Sequence, residues 1–114
     1  MTTPRVGQSV RGSRSGRPIM VVLDLLGRRA SLRVLWELRG EPLNFRALQD
    51  AAATNPALLN TRLKELREAG IVDHAEGGYQ LTDAGRALVQ SLQPLSVWAD
   101  AWGRAASARR RAAK

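Results

Sequence analysis

Apolar and polar positions alternate along this chain with a helical period over most of its length. Near the middle, Leu59, Leu63 and Leu66 fall at i, i+4 and i+7 and define one buried helix face. Asn55 followed by Pro56 predicts the start of that helix, a side-chain cap and then proline at the first helical position, and Gly70 predicts its stop. At 100° per residue the opposite face carries Ala57, Thr61, Lys64 and Glu68, with Leu58 and Asn60 on its flanks and Arg62 on the shoulder of the buried stripe. Just upstream, Phe45 to Ala52 reads as about two helical turns with Phe45 and Leu48 inward, preceded by a brief strand in EPLNF. Downstream, Ile71-Val72 and Tyr79-Gln80-Leu81 read as two short antiparallel strands around a Glu76-Gly77-Gly78 turn.

Towards the ends of the chain the pattern becomes more apolar. Pro18 opens a helix through IMVVLDLLG, whose only charge is Asp24. RRASLRVLWELRG follows, with Leu32, Leu35 and Leu38 along one face and Val34 widening it. Thr82-Asp83 caps a last helix whose apolar line runs through Leu88, Leu92, Leu95, Trp98 and Trp102, with Pro94 expected to kink it. The first and last helices together carry more apolar surface than a monomer of this size covers, so Met20, Leu23, Leu26, Leu92, Leu95, Trp98 and Trp102 are expected at a homodimer interface. Trp98 and Trp102 share a face that Trp36 is placed to join across a subunit boundary, and packing is favoured over an aromatic ligand pocket.

Helix, turn, helix and hairpin in that order define an α+β, mostly α chain. It is a winged helix-turn-helix with a two- to three-stranded wing sheet and flanking dimerisation helices, and its usual partner is double-stranded DNA. The chain's 114 residues allow one domain. Its net charge of +8 changes meaning once located. Residues 1–17 hold four arginines and no acid, and residues 104–114 hold five cations and no acid, so residues 18–103 net −1. The expected organisation is a disordered Arg/Gly/Ser-rich arm over 1–17, the DNA-binding domain over 18–103 and a basic tail over 104–114. The terminal segments are expected either to be solvated only or to add non-specific phosphate contacts.

The small, polar face of residues 56–69 is expected to enter the major groove. Asn55, Ala57, Leu58, Asn60 and Thr61 approach bases or phosphates, and Lys64 neutralises a phosphate. Arg62 is read as a phosphate clamp, and Arg46 and the Arg28-Arg29 pair as further backbone contacts. His74 at the base of the wing, with Gly77 and Gly78 at its tip, completes the surface, although a plain exposed strand residue is the more frequent role for such a histidine. With one histidine, no cysteine and scattered acids, no catalytic residue, metal site or cofactor is expected, and disulfides and thiol switches are excluded. No apolar run approaches the roughly 20 residues that span a bilayer, and the basic start lacks a signal core. The expected place of work is the bacterial cytoplasm, on the nucleoid.

The chain resembles the HxlR-type family of winged helix-turn-helix transcription regulators over roughly residues 19–103. The resemblance rests on Gly27, Val34-Leu35, Leu38, Gly40, Phe45 and Leu48, then on Pro56, Leu59, Arg62, Leu63, Leu66 and Gly70-Ile71-Val72. Tyr79-Gln80-Leu81-Thr82-Asp83-Ala84-Gly85 and the line Leu88, Leu92, Leu95, Trp98 complete it. It implies a homodimeric regulator without enzymatic activity that presents two reading helices to an inverted repeat. Some members of that family sense oxidants through a cysteine near the domain start, which this chain lacks. Asn44 stands where the family usually has arginine, Ala30 where tryptophan is common, and the wing is short, with Glu76 at its tip. Two other roles remain open from the residues alone: a non-specific, chromosome-associated nucleic-acid binder relying on its tails, and a protein-interaction module built on the same fold.

Overall fold

The computed structural model describes residues 2–113. Its elements are α1 (Pro18–Leu26), α2 (Ser31–Glu37), α3 (Phe45–Ala51), α4 (Pro56–Glu68), β1 (Val72–Ala75), β2 (Gly78–Leu81) and α5 (Asp83–Ala112). Local signals set most of the boundaries. Three helices begin on a side-chain cap: Asn44 accepts from the Ala47 amide, Asn55 from Leu58 and Thr82 from Gly85. Proline occupies the first position of α1 and of α4. At the end of α4, Gly70 takes a φ of +76° while the Ile71 amide donates back to Leu66, which satisfies carbonyls the helix would leave open.

α2 is the hub of the core. Val34, Leu35 and Leu38 are buried and packed with Leu48 of α3, Leu59, Leu63 and Leu66 of α4, Ile71, Val72, Leu81, and Val89 of α5. Here the structure corrects the expected face of α2: Leu32 is 45% exposed, and Val34 lies at the centre of the buried side. Packing Val34, Leu35 and Leu38 against α3, α4 and α5 at once requires that rotation, which turns Leu32 outward.

The wing is a two-stranded antiparallel hairpin with register Val72↔Leu81, Asp73↔Gln80, His74↔Tyr79 and Ala75↔Gly78. The brief strand expected in EPLNF is reduced to one bridge, where Leu43 exchanges both backbone hydrogen bonds with Tyr79 at 3.0 and 2.8 Å. That bridge sets the residue at the hairpin's return. Gly78 has a φ of +118°, and a Cβ there would stand 2.5 Å from the Leu43 carbonyl oxygen.

Both ends differ from the organisation expected from composition. Residues 2–17 fold back on the body instead of trailing as a disordered arm. Thr3 and Pro4 are buried, and the loop closes on itself through Gly7 N–H to the Gly16 carbonyl at 3.0 Å and a Val10↔Ser13 bridge. At the other end, 104–112 is not a separate tail, because α5 runs unbroken through Pro94 to Ala112. Only Gly85 and Val89 of α5 are buried, and beyond the half-buried Leu92 the helix leaves the core. No helix among the described residues is long and apolar enough to cross a membrane.

Candidate nucleic-acid interface

The turn Ala52–Asn55 sets α3 and α4 as a helix-turn-helix pair, with Ala53 in the left-handed region at a φ of +53°. Leu59, Leu63 and Leu66 anchor one side of α4 in the core, so its other side must face outward. Ala57, Asn60, Thr61 and Lys64 are all exposed there, with Leu58 half-buried beside them. Asn55 holds the N-terminus, accepting from the Leu58 amide at 2.9 Å, so its side chain is occupied by the cap. The Thr61 hydroxyl donates to the Ala57 carbonyl at 3.1 Å and keeps its lone pairs for an incoming donor.

Two clefts flank this crest. On the hairpin side, Asn60, Lys64 and Arg67 face Asp73 and Tyr79. On the other side, Thr61, Lys64 and Glu68 face Thr2, Thr3, Arg5 and Gln8 of the folded N-terminal segment. Lys64 borders both and therefore stands on the crest. Arg67 was missed in the sequence, although Asn60, Lys64 and Arg67 form a polar i, i+4, i+7 line. It makes no ion pair among the described residues.

Several expected contact residues are engaged elsewhere. The Arg62 guanidinium donates to the Arg29 carbonyl at 2.7 Å and to the Glu65 carboxylate, so it is tied to the body and is not presented as a phosphate clamp. Arg28 is also interior: its guanidinium pairs with Glu65, lies 3.8 Å from Asp24 and donates to the Thr2 carbonyl at 2.9 Å. Glu65 is 4% exposed between these two arginines. Gly78 is buried beneath Leu43 and has a structural role at the hairpin.

The remaining positions are open. Arg46 is 82% exposed with Asp50 at 3.5 Å, a weak surface pair that leaves it available. His74 is exposed and stacks on Tyr79 with ring centroids 4.2 Å apart, and Gly77 is exposed at the turn beside Glu76. Asn44, standing where an arginine was expected from the resemblance, caps α3.

Of the expected interface residues, Leu23, Leu95, Trp98 and Trp102 are more than half exposed, joined by Ile19 and Val97. Trp98 and Trp102 stack along α5 with centroids 5.8 Å apart. Met20 is half-buried, whereas Leu26 and Leu92 pack against the chain's own core. No cluster of three or more His, Asp or Glu side chains is positioned for a metal among the described residues.

A helix-turn-helix with an outward polar crest and an adjoining hairpin defines a winged helix-turn-helix DNA-binding protein. The profile described as "HxlR-like helix-turn-helix" matches residues 25–107, and the chain belongs to that family of DNA-binding transcription regulators. Among solved structures it is similar to quinone-bound YodB from B. subtilis, at 30% identity and a TM-score of 0.69, covering 73% of this chain and 96% of that one. No curated protein sequence matches significantly.

Proposed function

We propose that the protein regulates transcription as a homodimer whose two α4 helices read the halves of an inverted-repeat operator. The observation that carries this reading is the crest of α4, where Asn60, Thr61 and Lys64 are exposed beside the small Ala57 while the opposite face is locked in the core. Asn60 matches the donor–acceptor edge of adenine, and Lys64 is a phosphate or guanine contact. The α4 N-terminus adds a positive dipole end directed at a phosphate.

Pairing of two copies is supported by the apolar side chains left exposed on α1 and on the projecting part of α5, since isolated monomers rarely leave such surfaces uncovered. A two-fold axis through these helices gives the inverted repeat its symmetry. In this reading the protein acts on chromosomal DNA in the bacterial cytoplasm and needs neither a cofactor nor a catalytic residue.

The test compares Asn60→Ala and Thr61→Ala with the parent on an operator duplex and on a duplex of scrambled sequence. The reading expects each substitution to cost about 1–3 kcal/mol on the operator and much less on the scrambled duplex. Equal losses on both would reassign the pair to backbone contacts and favour non-specific binding.

A further inference from the structure

The flank of α4 away from the hairpin is lined by Thr2, Thr3, Arg5 and Gln8, the start of a segment that holds four arginines and no acid over residues 2–17. This segment is attached to α4 at defined points. Thr3 is buried and its hydroxyl donates to Glu68 Oε2 at 2.5 Å. Arg5 Nη2 lies 3.7 Å from the same oxygen, and the Thr2 carbonyl accepts from the Arg28 guanidinium that also holds Glu65. Farther along, the Arg11 amide donates to Asp24 of α1 at 3.4 Å, and the loop returns to Pro18 through Gly16 and Arg17, whose amides both approach the Ser13 hydroxyl. The resulting cleft has Thr3, Arg5 and Gln8 on one wall and Thr61, Lys64 and Glu68 on the other.

A helix lying in the major groove has a phosphodiester backbone on each side of it. On one side of α4 stands the hairpin, whose exposed residues include Asp73 and Glu76. The hairpin thus sets acids opposite Lys64 and Arg67 of α4, an uneven match for a duplex carrying one negative charge per about 1.7 Å of axis. The other side presents Arg5 on a wall that contributes no acid of its own. There the one acid of the crest, Glu68, is engaged by Thr3 and Arg5, so its charge is countered where a phosphate would approach.

We propose that residues 2–17 form a folded phosphate-binding flank of the reading helix. The partner is the DNA backbone bordering the major groove on the side away from the hairpin. Arg5 acts twice, screening Glu68 and pairing with a phosphate, and its 63% exposed side chain is free enough to do both. The proposal rests on α4 being the DNA-reading helix and adds to it a second electrostatic flank.

The experiment titrates the full-length protein with a duplex across a range of salt concentrations, comparing the parent with Arg5→Ala, with Arg5→Ala/Glu68→Gln and with Lys64→Ala. Thermal unfolding of each variant confirms that an exposed position has been changed without loss of fold. The expected result is that Arg5→Ala weakens binding about fivefold and lowers the salt slope by about one. Adding Glu68→Gln then recovers part of the affinity, because the unscreened carboxylate is gone. If Lys64→Ala weakens binding while Arg5→Ala changes neither affinity nor slope, the flank is overturned and the role of α4 stands. If neither substitution has an effect, both fall together.

Discussion

Glu65 on α4 is held by the guanidinium of Arg28, thirty-seven residues earlier at the end of α1, and both side chains are less than a tenth exposed. Arg62 grips the other oxygen of the same carboxylate, and Asp24 stands 3.8 Å from Arg28, so two acids and two bases balance in one interior cluster. The pair ties α4 to the segment between α1 and α2. Through Asp24 it also ties α4 to α1.

Removing one partner of a buried cluster leaves the other charges uncompensated. Glu65→Ala should cost about 3 kcal/mol of unfolding free energy, read from denaturant midpoints with an unchanged slope. Arg46→Ala, at a position 82% exposed, should change stability by less than about 0.5 kcal/mol and serves as the comparison. A Glu65→Ala protein as stable as the parent would mean that the cluster contributes nothing to the fold.

Gly78 sits at the hairpin's return with a φ of +118° and the Leu43 carbonyl against its missing side chain. Gly78→Ala should destabilise by about 2 kcal/mol, seen as a lowered thermal midpoint. Gly77→Ala, where the nearest atom to a new Cβ is a Pro42 carbon at 3.6 Å, should be far milder.

Two asparagines five residues apart on one helix separate stability from binding. Asn55 caps α4, so Asn55→Ala should lose about 1 kcal/mol of stability. Asn60 is exposed and its side chain has no hydrogen-bond partner among the described residues, so Asn60→Ala should leave the unfolding midpoint in place and weaken operator binding. Unfolding curves and binding isotherms on the same samples check the split, and loss of stability in Asn60→Ala would contradict it.

The apolar faces of α1 and α5 supply a further test. Leu23→Glu and Trp98→Glu change side chains that are 53% and 59% exposed and support nothing in the monomer core. Each should convert a dimer to a folded monomer in sedimentation experiments, with normal helical circular dichroism. A parent protein that sediments as a monomer at all concentrations would refute the pairing.

Much of the fold was legible because its signals are local. Asn55-Pro56, Thr82 and Gly70 mark helix ends within a few residues of themselves, and Leu59, Leu63 and Leu66 declare a face by spacing alone. The features that escaped depend on distant partners. Spacing along the chain does not pair Glu65 with Arg28, and only the folded chain brings them together. In α2 the choice between Leu32 and Val34 as the inward residue is made by packing against four other helices, which a seven-residue pattern cannot specify. Residues 2–17 read as unstructured from their glycine, serine and arginine content, yet Glu68 and Arg28 give Thr3 and Thr2 specific partners. The crest residues Ala57, Asn60, Thr61 and Lys64 were legible because they lie opposite the leucine stripe, whereas Arg62, one step around the helix, was not separable from them by angle alone.

The most direct measurement is sequence enrichment from random duplex DNA with the full-length protein. Cutting at residues 18–103 would remove the flank that holds Glu68 and truncate α5. The account predicts recovery of an inverted repeat, with Asn60→Ala abolishing or shifting selection at one position in each half. A folded protein that binds duplex yet enriches no sequence would contradict it, and the crest of α4 would not be a reading surface.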